Sequence, residues 1–339
     1  MTALFAASVN GEASREAFGK ITAEKISVPE IRFTFTGASL VLHDFTVSHM
    51  QNGMASSVAF SSGELEVRAG AQNSKFTIGT LTLTEADAGF VLASLKNGLI
   101  KSDYLRYASL KWDGMSGVLG GNQSSSIAAS IDIGAVTAEN TYDKGMPTNF
   151  SFDIDSARIA PNGAMASAAL YGMFGMNKLD FNMHFKGSYD WTARRMIIDN
   201  GQVGFARLAS LSIKGVFGNT TKALLSSDQD IRSNAVQSLT LESAALRIVN
   251  EGALDKAVAM LAAKIDRKGG DTIPANLYKV LTGSNAKSED GAAVAAFVSN
   301  PRSLTISIKP RSGSSPMPLR GLSGQKDLSW FDSQIRAND

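Results

Sequence analysis

Apolar residues take every second place in one stretch of this chain after another, and that period commits it to β structure. The clearest stretch is KLDFNMHFKGSYDW, residues 178–191. Leu179, Phe181, Met183 and Phe185 alternate there with Asp180, Asn182, His184 and Lys186. A strand with that period carries an apolar row on one face and a polar row on the other. The same alternation recurs in EIRFTFT (30–36), ASLVLHDFTVSH (38–49), GELEVRAG (63–70) and KFTIGTLTLTE (75–85). It continues in RYASLKWDG (106–114), SIAASIDIGAVTAE (126–139), NFSFDIDSARIA (149–160), RLASLSIKGVFG (207–218) and VQSLTLESAALRIV (236–249). Gly, Asn, Asp and Ser bound most of them, the residues that turn a chain at low cost. Asp199-Asn200-Gly201, inside RRMIIDNGQVGFA, reads as a strong turn.

Helical periodicity is confined to two places. EADAGFVLASLKNG (85–98) suits a short helix stopped by Gly98. Leu254, Val258, Leu261 and Ile265 make one stripe of a helix over 250–267, ended by Gly269-Gly270. A short helix from Pro274 to near Gly283 and another over 289–299 come next, and SLTISIKP (303–310) returns to strand. A loose likeness links 79–98 to 237–256, where a strand runs through a Glu into a helix-prone stretch. The expected fold is therefore mainly β, a β-rich α+β chain. It is an elongated, curved antiparallel sheet, either half-pipe or sandwich, with a small C-terminal helical cap. The expected divisions are a flexible segment 1–20, a β region 21–145, a second β region 146–310 with a helical insertion at about 250–299, and a Ser/Gly/Pro-rich flexible tail 311–339. Within that tail, Leu328, Phe331 and Ile335 are spaced for an amphipathic turn or two.

Composition removes whole classes of function. Lys and Arg total 33 against 31 Asp and Glu, a net charge of +2, with no basic run denser than Arg194-Arg195. That speaks against a nucleic-acid partner. The absence of cysteine excludes disulfides, thiolate metal sites and a Cys nucleophile, and suits an oxidising compartment such as a bacterial periplasm, although many cytosolic proteins lack cysteine too. No apolar run approaches the ~18 residues of a spanning helix, so no transmembrane helix is expected. The opening MTALFAASVNG reads either as the remnant of a cleaved signal peptide or as a frayed start, with no anchor of its own.

Chemistry-bearing residues do not assemble into a motif. His43 and His49 lie six places apart on one strand, roughly 20 Å, too far to share a metal. His184 falls on the polar face of its strand. Ser284 and Lys287 match S-x-x-K without its companion elements, and GVLGGN (117–122) fits neither phosphate-loop pattern. Asp153 and Asp155 share a strand face, as solvated carboxylates commonly do, and Asn122, Asn149 and Asn219 start N-x-[ST] triplets. No catalytic residue, metal ligand or cofactor is expected, and the chain reads as a non-enzyme.

Apolar surface is what remains. Met165, Met173, Met176 and Met183 crowd one region, either filling a core or forming an adaptable binding surface. The run AALYGMFGMNKLDFNMHFKGSYDWTARRMIIDNGQVGFARLASLSIKGVFGN (168–219), with the later AFVSNPRSLTISIKP, resembles β-rich envelope proteins of Gram-negative bacteria in the AsmA-type, bridge-like lipid-transfer group. The likeness spans roughly 130–310. It implies a periplasmic protein that binds or passes lipid along an apolar β groove. Leu179, Phe181, Met183 and Phe185 would line the groove, with Phe33, Phe35, Leu81 and Leu83 as counterparts nearer the N-terminus. The alternative is an envelope scaffold or interaction module, with a protein partner, whose apolar rows close into a sandwich core.

Overall fold

The structure, a computed structural model, describes residues 17–69, 72–97, 105–120, 129–161, 171, 175–226, 228–256, 288–314, 318–322 and 331–339. The chain is mainly β. It divides into two compact units, Met1–Asp155 with Thr221–Val236, and Ser156–Thr220 with Gln237–Asp339. Neighbouring strands in both units run antiparallel.

In the first unit, β1 (Ala23–Phe35) and β2 (Ala38–Met50) form a long hairpin. Gly37 turns it at φ 78, a conformation glycine adopts without a Cβ clash. The next strands come as kinked couples: β3 (Met54–Phe60) with β4 (Ser62–Ala69), β5 (Gln72–Ile78) with β6 (Leu81–Asp87), β7 (Ser109–Trp112) with β8 (Met115–Leu119), and β9 (Ala129–Ile133) with β10 (Val136–Asp143). Each couple is one long strand broken by a kink. Phe60 opposite Leu81 and Gly63 opposite Ile78 keep the same offset on both sides of the break. So do Leu81 opposite Trp112 and Ile78 opposite Met115. The last strand, β11 (Met146–Pro161), pairs with β10, and its residues after Asp155 belong to the second unit.

The kinks obey a rule that plain alternation misses. Along β2 the large apolar residues of one face are Leu40, Leu42, Phe45, Val47 and Met50, spaced two, three, two, three, with Val41 between the first two on the other face; along β5 and β6 the series is Phe76, Ile78, Leu81, Leu83 and Ala86. A strict period of two would send Phe45 to the face opposite Leu42. One extra residue at each three-step absorbs that half-turn, as in a β-bulge, and several of these residues take positive φ: Asp44 (51), His49 (49) and Glu85 (46). Both partners of each pair carry the extra residue, so the register does not slip. Ile31, beyond one kink, accordingly packs on the same core as Ile26 and Val28.

That core is closed. Val47, Val58 and Leu83 are 0%, 1% and 4% exposed beneath Phe90 and Leu92 of α1 (Ala88–Asn97). Asp87 at the end of β6 caps the helix, its Oδ1 accepting the Phe90 N–H at 2.8 Å.

In the second unit, β12 (Leu179–Asp190), β13 (Arg195–Phe205), β14 (Ala209–Gly218), β15 (Thr240–Asn250), β16 (Ser303–Pro310) and β17 (Phe331–Ala337) pair each with the next. A helix, α2 (Gln229–Ser238), which belongs to the first unit up to Val236, precedes β15, and another, α3 (Ser288–Ser299), precedes β16. Two sequence expectations change here. Asp199-Asn200-Gly201 is no turn: it sits inside β13, where the register shifts between Ile198 and Gly201. Turn and bulge demand the same permissive residues, so the sequence signal is shared. The real turn is Trp191–Arg194, with Asp190 Oδ1 accepting the Ala193 N–H at 2.8 Å. The segment read as a tail returns as β17, pairing with β16 from Leu304–Ala337 to Pro310–Phe331. Phe331 and Ile335 are strand residues, because four-residue spacing suits two strand steps as well as one helical turn. Residues 257–287, with most of the first C-terminal helix and all of the second, lie outside the described residues.

Candidate apolar binding face

Cross-strand partners in an antiparallel ladder project to the same side of the sheet. The registers of the second unit therefore write out its faces row by row. One row is Met183, Val203, Leu211, Ile248, Leu304 and Ala337. The next is Phe185, Gly201, Ile213, Leu246, Ile306 and Ile335. Phe181 with Phe205, and Tyr189 with Met196 and Phe217, extend the same face at either end. The opposite face carries His184, Gln202, Ser212, Arg247, Thr305 and Arg336 in one row. The sheet thus carries large apolar side chains on one side across six strands and mostly polar ones on the other, where Ile197, Val216 and Val249 are exceptions.

Packing on the apolar side is uneven. Phe181, Met183, Phe185, Val203, Phe205, Leu211, Ile213, Leu246, Ile248 and Ile306 are all only partly buried. The Phe181 and Phe205 rings are 5.9 Å apart and tilted by 40°. Phe185 lies across Gly201, where an added Cβ would stand 2.7 Å from its ring and 2.6 Å from Ile213 Cγ2. Glycine there lets the ring cover the strand. The face closes at the β16–β17 end, where Leu304 and Ile335 are 3% and 5% exposed under Val294 and Phe297 of α3, and locally at Ala209, opposite Phe205, and Leu241, opposite Phe217, both buried.

Charge is kept to the margin. Asp180, at the start of β12, accepts from Arg158 Nε at 2.8 Å and Lys178 Nζ at 2.9 Å. Arg158 first, then Lys178, hold its carboxyl below the ordinary carboxylate range. Burial raises the Tyr189 hydroxyl above its usual value, and its ring stacks on Trp191 at 5.0 Å. Among the described residues no group of three or more His, Asp or Glu is placed to hold a metal ion. Among them, too, no helix is long and apolar enough to cross a membrane.

Each unit also carries a groove, on its polar side. In the second unit it measures about 920 Å³ and runs across β13–β17, with a mixed lining in which Lys214, Ser243, Lys309 and Gln334 stand beside Ile197 and Val216. In the first it measures about 740 Å³, with Arg32, Glu64, Glu66, Lys75 and Thr77 in its wall. Glu66 there accepts from Asn73 Nδ2 at 2.7 Å and Arg68 Nη2 at 3.2 Å, which holds its carboxyl low.

None of the eight apolar candidates lines either groove. Leu179, Phe181, Met183 and Phe185 come together on the apolar face of β12. Phe33 is partly buried opposite Leu40, and Phe35 ends β1 opposite Ala38. Leu81 and Leu83 belong to the closed core of the first unit, with Leu83 fully enclosed. Met165 and Met173 lie outside the described residues, and Met176 is buried. Sequence reasoning missed the partners on β13–β16, Val203, Phe205, Ile213, Leu246 and Ile306. Their alternation was visible, but only the register shows that they share the face of Phe181.

A protein-family model described as "Uncharacterized protein" matches residues 202–333, from β13 into β17. No curated protein matches the chain.

Proposed function

We propose that this is a non-enzymatic envelope protein that binds lipid through acyl chains laid on the apolar face of β12–β15. The observation that carries the reading is the contiguous set of large, partly buried side chains around Phe181, Met183, Phe185, Val203 and Ile213. A protein core of this composition is ordinarily enclosed, as the first unit's core is. Enclosing the face with acyl chains gains about 25 cal/mol per Å² without specific polar contacts. Neutral side chains on the face and ion pairs at its margin fit a ligand whose tail is inside and whose headgroup stays in water. The lack of cysteine suits an oxidising compartment.

The test is mass spectrometry of an organic extract from protein purified without detergent. Stoichiometric phospholipid or fatty acid is the expected result, and Phe181→Glu should abolish it while leaving the far-ultraviolet circular dichroism unchanged. A second reading, a scaffold with closed cores, is favoured by the enclosure of Leu83 and by α3 over Leu304. Folded, lipid-free protein would select it.

A further inference from the structure

Resting on the proposed lipid binding, we infer that the acyl-chain site continues beneath α3, and that this helix is an intramolecular plug which ligand displaces. The row Phe185, Gly201, Ile213, Leu246, Ile306, Ile335 is unbroken in register from β12 to β17. Its large side chains are partly buried from Phe185 to Ile306, the last of which already packs against the α3 cluster, and the row is fully enclosed at Ile335. The cover there is a helix whose large buried side chains are few. Val294 and Phe297 are the fully buried side chains on the sheet, with Ala293, Val298 and Leu254 packed at their edge, while Ala292, Ala295 and Ala296 fill much of the rest of the helix. The area Val294 and Phe297 cover is the kind of surface an acyl chain covers equally well, so exchange between helix and ligand is close to neutral in apolar burial. The helix satisfies its own backbone hydrogen bonds and can leave the sheet as a unit.

A polar clamp sets the balance. Asp290, 3% exposed, accepts the Ile335 N–H on Oδ1 at 2.8 Å and the Ser333 hydroxyl on Oδ2 at 3.3 Å. Asn338 Nδ2 donates to the Ala296 carbonyl at 3.3 Å, fastening the other end. Hydrogen bonds to a carboxylate are among the stronger ones, and both bonds of Asp290 are lost when the helix lifts. They hold the plug shut in the absence of ligand and give it a defined seat to return to.

The probe is stearate carrying an anthroyloxy fluorophore, titrated into the whole chain. Asp290→Ala should bind it about tenfold more tightly than the wild type, the scale expected for releasing a charged hydrogen-bonded clamp. Ser333→Ala, a milder change, should move affinity the same way by about threefold or less and covers the case in which Asp290→Ala fails to fold. In the wild type, hydrogen exchange of residues 290–299 should quicken on adding stearate, while β12–β14 become protected. Equal affinity in all three proteins, with α3 exchange unchanged by bound stearate, overturns the plug and leaves lipid binding standing. Failure of every protein to bind the probe overturns both.

Discussion

The two units solve the same problem in opposite ways. Each presents a sheet with one apolar face. In the first, α1 and the short turn around Phe18 sit on that face, and Val47, Val58 and Leu83 disappear into a core. In the second, α3 covers the β16–β17 end, and the large apolar side chains of β12–β14 on that face stay partly exposed, although Ala209 and Leu241 are buried. Strand composition does not separate them, since Leu81-Thr82-Leu83 and Phe181-Asn182-Met183 obey the same alternation. The difference lies in the segment that each strand leads into. Beyond β6 the chain enters a helix at once, capped by Asp87, whereas β12 runs directly through a turn into β13.

The largest effect that would sharpen this contrast is a pair of truncations. Leu83→Ala should cost about 3 kcal/mol, the usual result of opening a cavity in an enclosed core. Met183→Ala should cost about 1 kcal/mol, because a partly exposed side chain gives up fewer contacts. Urea midpoints measure both. Equal losses would show that the second face is as closed as the first and would remove the ground for a lipid site.

Glycine substitutions give the next test. A Cβ at Gly117 would meet the Lys75 carbonyl oxygen at 2.2 Å, a backbone atom that cannot swing aside. At Gly201 the nearest atoms are side-chain ends of Ile213 and Phe185. Gly117→Ala should therefore destabilise by about 2 kcal/mol and Gly201→Ala by about 1 kcal/mol, as overpacking does where neighbours cannot and can yield. The reverse order in thermal melts would mean that the Phe185 ring is held more rigidly than its partial exposure implies.

The smallest effect is electrostatic. Asp180 has a folded pKa below its unfolded one, through Arg158 and then Lys178. Its contribution is present above the unfolded value near pH 4 and is lost as pH falls through the folded value. The pair is solvent-accessible, so Asp180→Asn should cost less than about 1 kcal/mol at neutral pH. In acid the variant and wild type should converge. A difference that persists at low pH would assign Asp180 a packing role instead.

Much of this molecule was legible in its residues. Alternation located most of the strands, and the helix-prone stretch 85–98 contains α1. The regular three-residue steps in Leu40, Leu42, Phe45, Val47, Met50 were equally present in the sequence, and they specify coordinated kinks once two neighbouring strands are compared. The spacing of Phe331 and Ile335 was ambiguous, because a strand and a helix can both place residues four apart on one side. Nothing local marked Asp199-Asn200-Gly201 as a bulge in place of a turn, since both need backbone freedom at the same residue types.

The sequence by itself determined the β class, the apolar and polar faces of each strand, and the absence of thiol chemistry. These depend on side-chain period and composition, which are local properties. Tertiary structure alone decided which apolar face is filled and which stays partly open. A strand's alternation states that one side avoids water; whether a helix, another part of the chain or a bound molecule supplies the cover depends on elements far away in sequence. Leu83 and Phe181 look alike on the strand, and only the groups packed over them make one a core residue and the other a candidate for ligand contact.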